Sequence, residues 1–91
     1  MAMPDTINVV HPDDWKTSDY ASIFEFTRVV GIRMTQIQSG AQPYVVYDDT
    51  DTIEDIVLRE LVEKRCPLSI IRKVGAAIEV IPVNSLIMPR I

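Results

Sequence analysis

The residues able to do chemistry in this chain are few. It has a single histidine, His11, and a single cysteine, Cys66, and it lacks a GxSxG turn, a glycine-rich phosphate loop and an HExxH spacing. His11 lies beside Pro12 in a stretch without sustained periodicity, the usual setting of a solvated side chain. Cys66 precedes Pro67 at a helix-to-strand junction, where a thiol serves as a small apolar group. Asp48, Asp49, Asp51, Glu54 and Asp55 could attract a hard cation, but they lack the ~12-residue calcium-loop pattern and its glycine. They read more simply as a solvated turn leading into a helix start that favours negative charge. No cofactor and no metal is expected, and the chain is expected not to be an enzyme.

The basic residues carry more information. Arg28 and Arg33 flank Gly31, and Arg59, Lys64, Arg65, Arg72 and Lys73 follow later. Glu60 falls at the border of an apolar helical stripe, where a carboxylate needs a partner. Arg28, Arg33 and Arg72 are the candidates, and such a pair would join separate elements. The net charge of −4 argues against a free-standing nucleic-acid binder, which needs a clustered positive field. A protein partner fits better. One cysteine excludes an internal disulfide. No apolar run approaches the ~20 residues of a membrane span, and the start has no signal-peptide order, so a soluble intracellular protein is expected.

Capping and periodicity give the elements that must position these groups. Ser22 followed by Glu25 is a capping box opening a helix that runs to Gly40, with Pro43 forbidding its resumption. The β-branched and aromatic run Pro43 to Tyr47 reads as a short strand. Thr52 and Asp55 make a second capping box, for a helix from Ile53 to about Arg65 with Ile53, Ile56, Val57 and Leu61 on one face. Pro67 stops it, and Leu68–Val74 and Ile78–Ile81 then form a hairpin about Gly75-Ala76-Ala77. Residues 1–16 read as an extended N-terminal arm that Trp15 docks, and residues 84–91 as an irregular or single-turn tail. The expected architecture is an α+β domain over 17–91, with two main helices and a small antiparallel sheet.

The first helix is apolar on more sides than its own chain can cover. Ile23, Phe26, Val30, Met34 and Ile37 fall on one stripe at about 100° per residue and are expected to face the core. Val29 and Ile32 lie on the opposite side with Glu25 and Gln36. Val29 and Ile32, an apolar strip edged by these polar groups, are therefore a candidate contact surface for another protein. Gly31 costs roughly 1 kcal/mol in mid-helix relative to alanine, which marks a close approach by a partner.

Two blocks carry a family resemblance: TSDYASIFEFTRVVGIRMTQIQSG, and, after the short strand, DTIEDIVLRELVEKRCPLSIIRK. Together they resemble the small omega-like subunit shared by DNA-directed RNA polymerases, the sixth common subunit of eukaryotes. The matched positions are Glu25, Arg28, Gly31, Arg33, Gln36 and Gly40, then Glu60, Leu61, Pro67 and Arg72, within a stretch from about Thr17 to Lys73. Met34, Thr52-Ile53 and Val57 depart from the family pattern, and the long acidic tail of the eukaryotic members is missing, which suggests a divergent viral member. The resemblance implies an omega-like fold and a non-catalytic assembly subunit that clasps the largest polymerase subunit, touches nucleic acid only through the complex and does not homo-oligomerise. By the same resemblance it would be found with the polymerase, and the surface about Arg28, Gly31, Arg33 and Gln36 would meet the large subunit. The alternative is an adaptor of an unrelated intracellular complex using the same two-sided helix.

Overall fold

The computed structural model describes residues 8–89; the expectations for the arm before Asn8 and for the tail beyond Pro89 lie outside the described residues. Both helices start as their sequence signals require. Helix α1 (Ile23–Gln38) opens with Ser22 Oγ accepting from the Glu25 amide at 3.0 Å and Glu25 Oε1 accepting from the Ser22 amide at 3.0 Å. Helix α2 (Ile53–Val62) opens with the same exchange between Thr52 and Asp55, both bonds 3.1 Å. Each box satisfies amides that the helix itself leaves without acceptors.

The two helices also end alike. The amides of Gly40 and Ala41 bond back to the carbonyls of Ile37 and Gln36, and those of Lys64 and Arg65 to Leu61 and Glu60. This closure needs a left-handed residue, which is Gly40 at φ +106° in one case and Lys64 at φ +57° in the other. Helix α2 accordingly stops at Val62, short of the expected Arg65, on a lysine where glycine would sit without strain.

Strands β2 (Ser69–Val74) and β3 (Ala77–Pro82) form the expected antiparallel hairpin, turning through Gly75 at φ +62° and Ala76. A short strand β1 (Asn8–Val9) pairs in parallel with β3, giving the order β1-β3-β2. The class is α+β. Directly opposed residues share a face of the sheet. The register therefore sends Ile70, Ile81, Arg72 and Glu79 inward, and Ile71, Val80, Lys73 and Ile78 outward.

Two clusters make the core. Val29, Leu61, Cys66 and Val83 form one, and Ala21, Ile81 and Leu86 the other, with Ile70 and Met88 packed against both. After β3 the chain makes a 3-10 turn over Val83–Ser85, and Ile87 then bridges Tyr20, so the tail lies across the start of α1.

The expected strand at Pro43 to Tyr47 does not form. Its backbone groups go to α2 side chains instead of a strand partner: the Tyr44 amide donates to Glu60 Oε2 at 3.0 Å, and Arg59 Nη1 donates to the Val46 carbonyl at 2.7 Å. Within the run only Val45 is buried, and Val46 is 90% exposed.

Residues 8–16 are tied into the sheet. The Val10 amide bonds to the Ile78 carbonyl at 2.9 Å, and Trp15 packs on the Ala21–Ile81–Leu86 cluster. The Lys16 amide donates to Glu79 Oε2 at 2.8 Å and Thr17 Oγ1 donates to Glu79 Oε1, so a carboxylate that is 1% exposed takes part of its solvation from the arm. A chain beginning at Thr17 loses β1, the Trp15 contact and one charge-assisted bond, the last alone worth ~1.5–3 kcal/mol. Its Tm should fall by roughly 10 °C or more. A Tm within a few degrees of the full chain's would show that these contacts contribute nothing.

Candidate functional site

Glu60 follows Ile56 and Val57 on the inward side of α2 and is 0% exposed. Arg33, one α1 turn beyond Val29, is 2% exposed and meets it with two parallel bonds, Nε to Oε1 at 2.7 Å and Nη2 to Oε2 at 2.8 Å. The guanidinium's remaining donors are taken by Gln36 Oε1 and the Gln42 carbonyl, each at 3.1 Å, and the Tyr44 ring lies 5.4 Å from its centre. Burial pushes the Glu60 carboxyl up, but the Arg33 bonds and the Tyr44 amide outweigh burial and hold it below its ordinary value. The pair stays charged, and it joins α1, α2 and the 41–47 segment at one point.

This arrangement corrects the expected partner face. Val29, expected on the outer side, is 5% exposed in the core, and Arg33 and the half-buried Gln36 belong to the internal network. Ile23, expected inside, is exposed. The reason is that a side chain counted as polar lies in the buried sector: once Glu60 neutralises it, Arg33 joins Val29 in setting the inward direction of α1, rotating the expected stripe. Arg72 does not pair with Glu60. It crosses from β2 to Glu25, with Nη2 to Oε1 at 2.8 Å and Nε to Oε2 at 2.9 Å, and it also bonds Thr17, Ser18 and Tyr20.

Arg28, Gly31 and Ile32 stay on the outside of α1. Among the described residues, Arg28 makes no ion pair and no side-chain hydrogen bond, and a Cβ built on Gly31 meets nothing within 4 Å. Phe24, one turn before Arg28, is 73% exposed. It shares their row by helical spacing, a signal present in the sequence that the choice of stripe concealed. Glu79 is a second residue that sequence reasoning missed; strand alternation places it inside with Ile81.

The remaining candidates are engaged locally. Asp51 pairs with Arg59 at 3.0 Å and caps the Asp48 amide at 3.0 Å, and among the described residues no group of His, Cys, Asp and Glu stands close enough to hold a metal ion. His11 Nδ1 accepts from the Asp13 amide, and burial pushes the Cys66 thiol up. Among the described residues no helix is long and apolar enough to cross a membrane. Fold and site define a small α+β domain held by one buried and one half-buried ion pair, with one helical row that the described residues leave uncovered. No protein-family model matches the chain, and no curated protein matches it.

Glu60→Ala strands a buried guanidinium and should cost ~3–5 kcal/mol in chemical denaturation, as should Arg33→Ala. The double variant Arg33→Met/Glu60→Leu should recover most of that loss, whereas additive losses would show that the pair is not coupled.

Arg72 holds the Glu25 carboxyl at about 2, down from 4.5. A carboxyl depressed in the folded state stabilises at pH values above its unfolded value, and that contribution is lost as pH falls through the folded one. Stability should therefore decline between pH 4.5 and about 2, and Glu25→Gln should decline less steeply over that window. Equal slopes would sink the assignment.

Proposed function

We propose that the chain is a non-catalytic assembly subunit of a multisubunit DNA-directed RNA polymerase, in an omega-like fold, clasping the largest subunit. One observation carries this reading. Of the ten positions on which the family resemblance rests, Arg33, Gln36 and Glu60 form one internal network and Glu25 and Arg72 another, Gly40 closes α1, Leu61 is core, and Pro67 lies in the connection between α2 and β2. Arg28 and Gly31 have no such internal role. Residues that belong to the pattern yet do nothing for the fold are accounted for by a second polypeptide.

Chemistry supports the same reading. The outer row offers an unpaired guanidinium, a glycine that admits close approach and the exposed apolar side chains Phe24 and Ile32, which is the mixture found at the centres of protein interfaces. Gly31 weakens the helix by roughly 1 kcal/mol relative to alanine, and nothing among the described residues requires it.

The test is capture from the source cell or virion with tagged chains. Gly31→Val has open space at its Cβ and a better helix propensity than glycine, so the free protein's Tm should stay within a few degrees of the wild type. The same variant should lose the largest polymerase subunit, which the wild type retains. Retention by Gly31→Val would refute this docking face, and a wild type that brings down some other complex would establish the adaptor reading in its place.

A further inference from the structure

We infer that the open edge of β2, with the groove between it and α1, takes an extended acidic segment of a partner polypeptide, added to the sheet as a further strand. The assembly-subunit reading is needed only for the partner's identity. The hairpin register fixes which backbone groups are free. The Leu68–Val83 bond and the two-residue turn after Val74 make Leu68, Ile70, Arg72 and Val74 the residues bonded to β3. The amides and carbonyls of Ser69, Ile71 and Lys73 then point away from the sheet, and β2 is its outermost strand. Among the described residues no backbone or side-chain group meets them. A row of unpaired donors and acceptors at strand spacing is what an extended chain satisfies.

The groove alongside supports this. Phe24, Arg28 and Ile32 form its helical wall, Ser69, Ile70 and Ile71 its strand wall, and it encloses about 550 Å³. A strand laid there has one face against Phe24 and Ile32. Its other face continues the outer sheet surface beside Ile71, which is 64% exposed, and Val80. The inner face of the added strand is therefore covered by α1, and its outer face extends the solvated surface of the sheet.

Charge selects the occupant. The one carboxylate in the groove, Glu25, is consumed by Arg72, whereas Arg28 and, along the edge, Lys73 have no partners among the described residues. The site is locally positive in a chain of net charge −4. A second copy is a poor match, because its β2, SIIRKV, would bring the unpaired Lys73 and no free carboxylate to the same edge. A segment alternating apolar residues with Asp or Glu sets its apolar side chains against Phe24 and Ile32 and its carboxylates on the outer face with Lys73, within the positive field to which Arg28 adds.

The experiment uses the full chain, isotopically labelled, and a peptide of about seven residues alternating valine with glutamate, long enough to span the edge at ~3.4 Å per residue. The peptide should shift and protect the amides of Ser69, Ile71 and Lys73 while leaving the ladder amides of Ile70 and Arg72 unchanged in protection. A valine–lysine peptide should bind at least ~10-fold more weakly at low salt, and the double variant Arg28→Glu/Lys73→Glu should reverse that order. Ile71→Pro removes one outward donor without touching a β2–β3 bond, a placement an edge strand tolerates; it should abolish binding with the fold intact by circular dichroism. Should Ile71→Pro fail to fold, the reversal by Arg28→Glu/Lys73→Glu decides. Silent edge amides, equal affinity for both peptides, or a dimer in sedimentation that Ile71→Pro dissolves would each overturn the inference. In the capture assay, polymerase retained by Ile71→Pro but lost by Gly31→Val would overturn the edge site and leave the polymerase reading standing. A wild type that captures no polymerase would remove that reading, with the peptide titration still deciding the edge.

Discussion

The structure depends on burying a guanidinium and a carboxylate together. Moving either ion out of water alone is prohibitive, and the pair is tolerable because its donors and lone pairs are almost all used: two parallel bonds between Arg33 and Glu60, then Gln36, the Gln42 carbonyl, the Tyr44 amide and the Tyr44 ring. Its effect is chiefly geometric. A helix turned by a single residue, about 100°, would carry Arg33 away from Glu60 and leave a buried carboxylate without a cation. The rotation of α1 is set by this requirement more than by its apolar residues, which are spread too widely round the helix to choose one.

A second polar joint, Arg72, does for the sheet what Arg33 does for the helices. It holds Glu25 at the first turn of α1 and reaches Thr17 and the Ser18 and Tyr20 carbonyls, while Thr17 also donates to Glu79 on β3. Helix start, arm and hairpin are thus fixed through one guanidinium. Glu25 serves both its capping box and Arg72, so acid that protonates it loosens the helix start and the helix–sheet contact in one event.

What could be read from the sequence was whatever local chemistry determines. Both capping boxes, the glycine end of α1, the hairpin and its turn follow from residues within a few positions of one another, and all form. The strand expected at Pro43 to Tyr47 failed because β-propensity reports fit to a half-buried surface, and here the surface is α2 with Arg59 and Glu60 supplying the hydrogen bonds. The outer face of α1 was half legible. Arg28, Gly31 and Ile32 are on it, but Val29 and Arg33 were assigned outward because a charged residue in the buried sector cannot be recognised until its partner is known. That Glu60 needed an arginine was evident; which arginine depended on tertiary geometry.

The uncovered surfaces follow from the same economy. A chain of 91 residues buries a smaller share of its surface than a large domain does, and here Arg33, Glu60 and Glu79 occupy interior positions that aliphatic side chains would otherwise fill. Phe24, Ile32, Ile71 and Val80 are left outside, on α1 and on the edge and outer face of the sheet. Polar joints of this kind fix orientation without consuming apolar area. A domain built on them can hold a defined shape alone while keeping its hydrophobic side chains for a second chain. The rigid α1–β2 joint through Glu25 and Arg72 sets the width of the groove between those elements, so a partner strand would meet a site already formed and spend little of its binding energy on rearrangement.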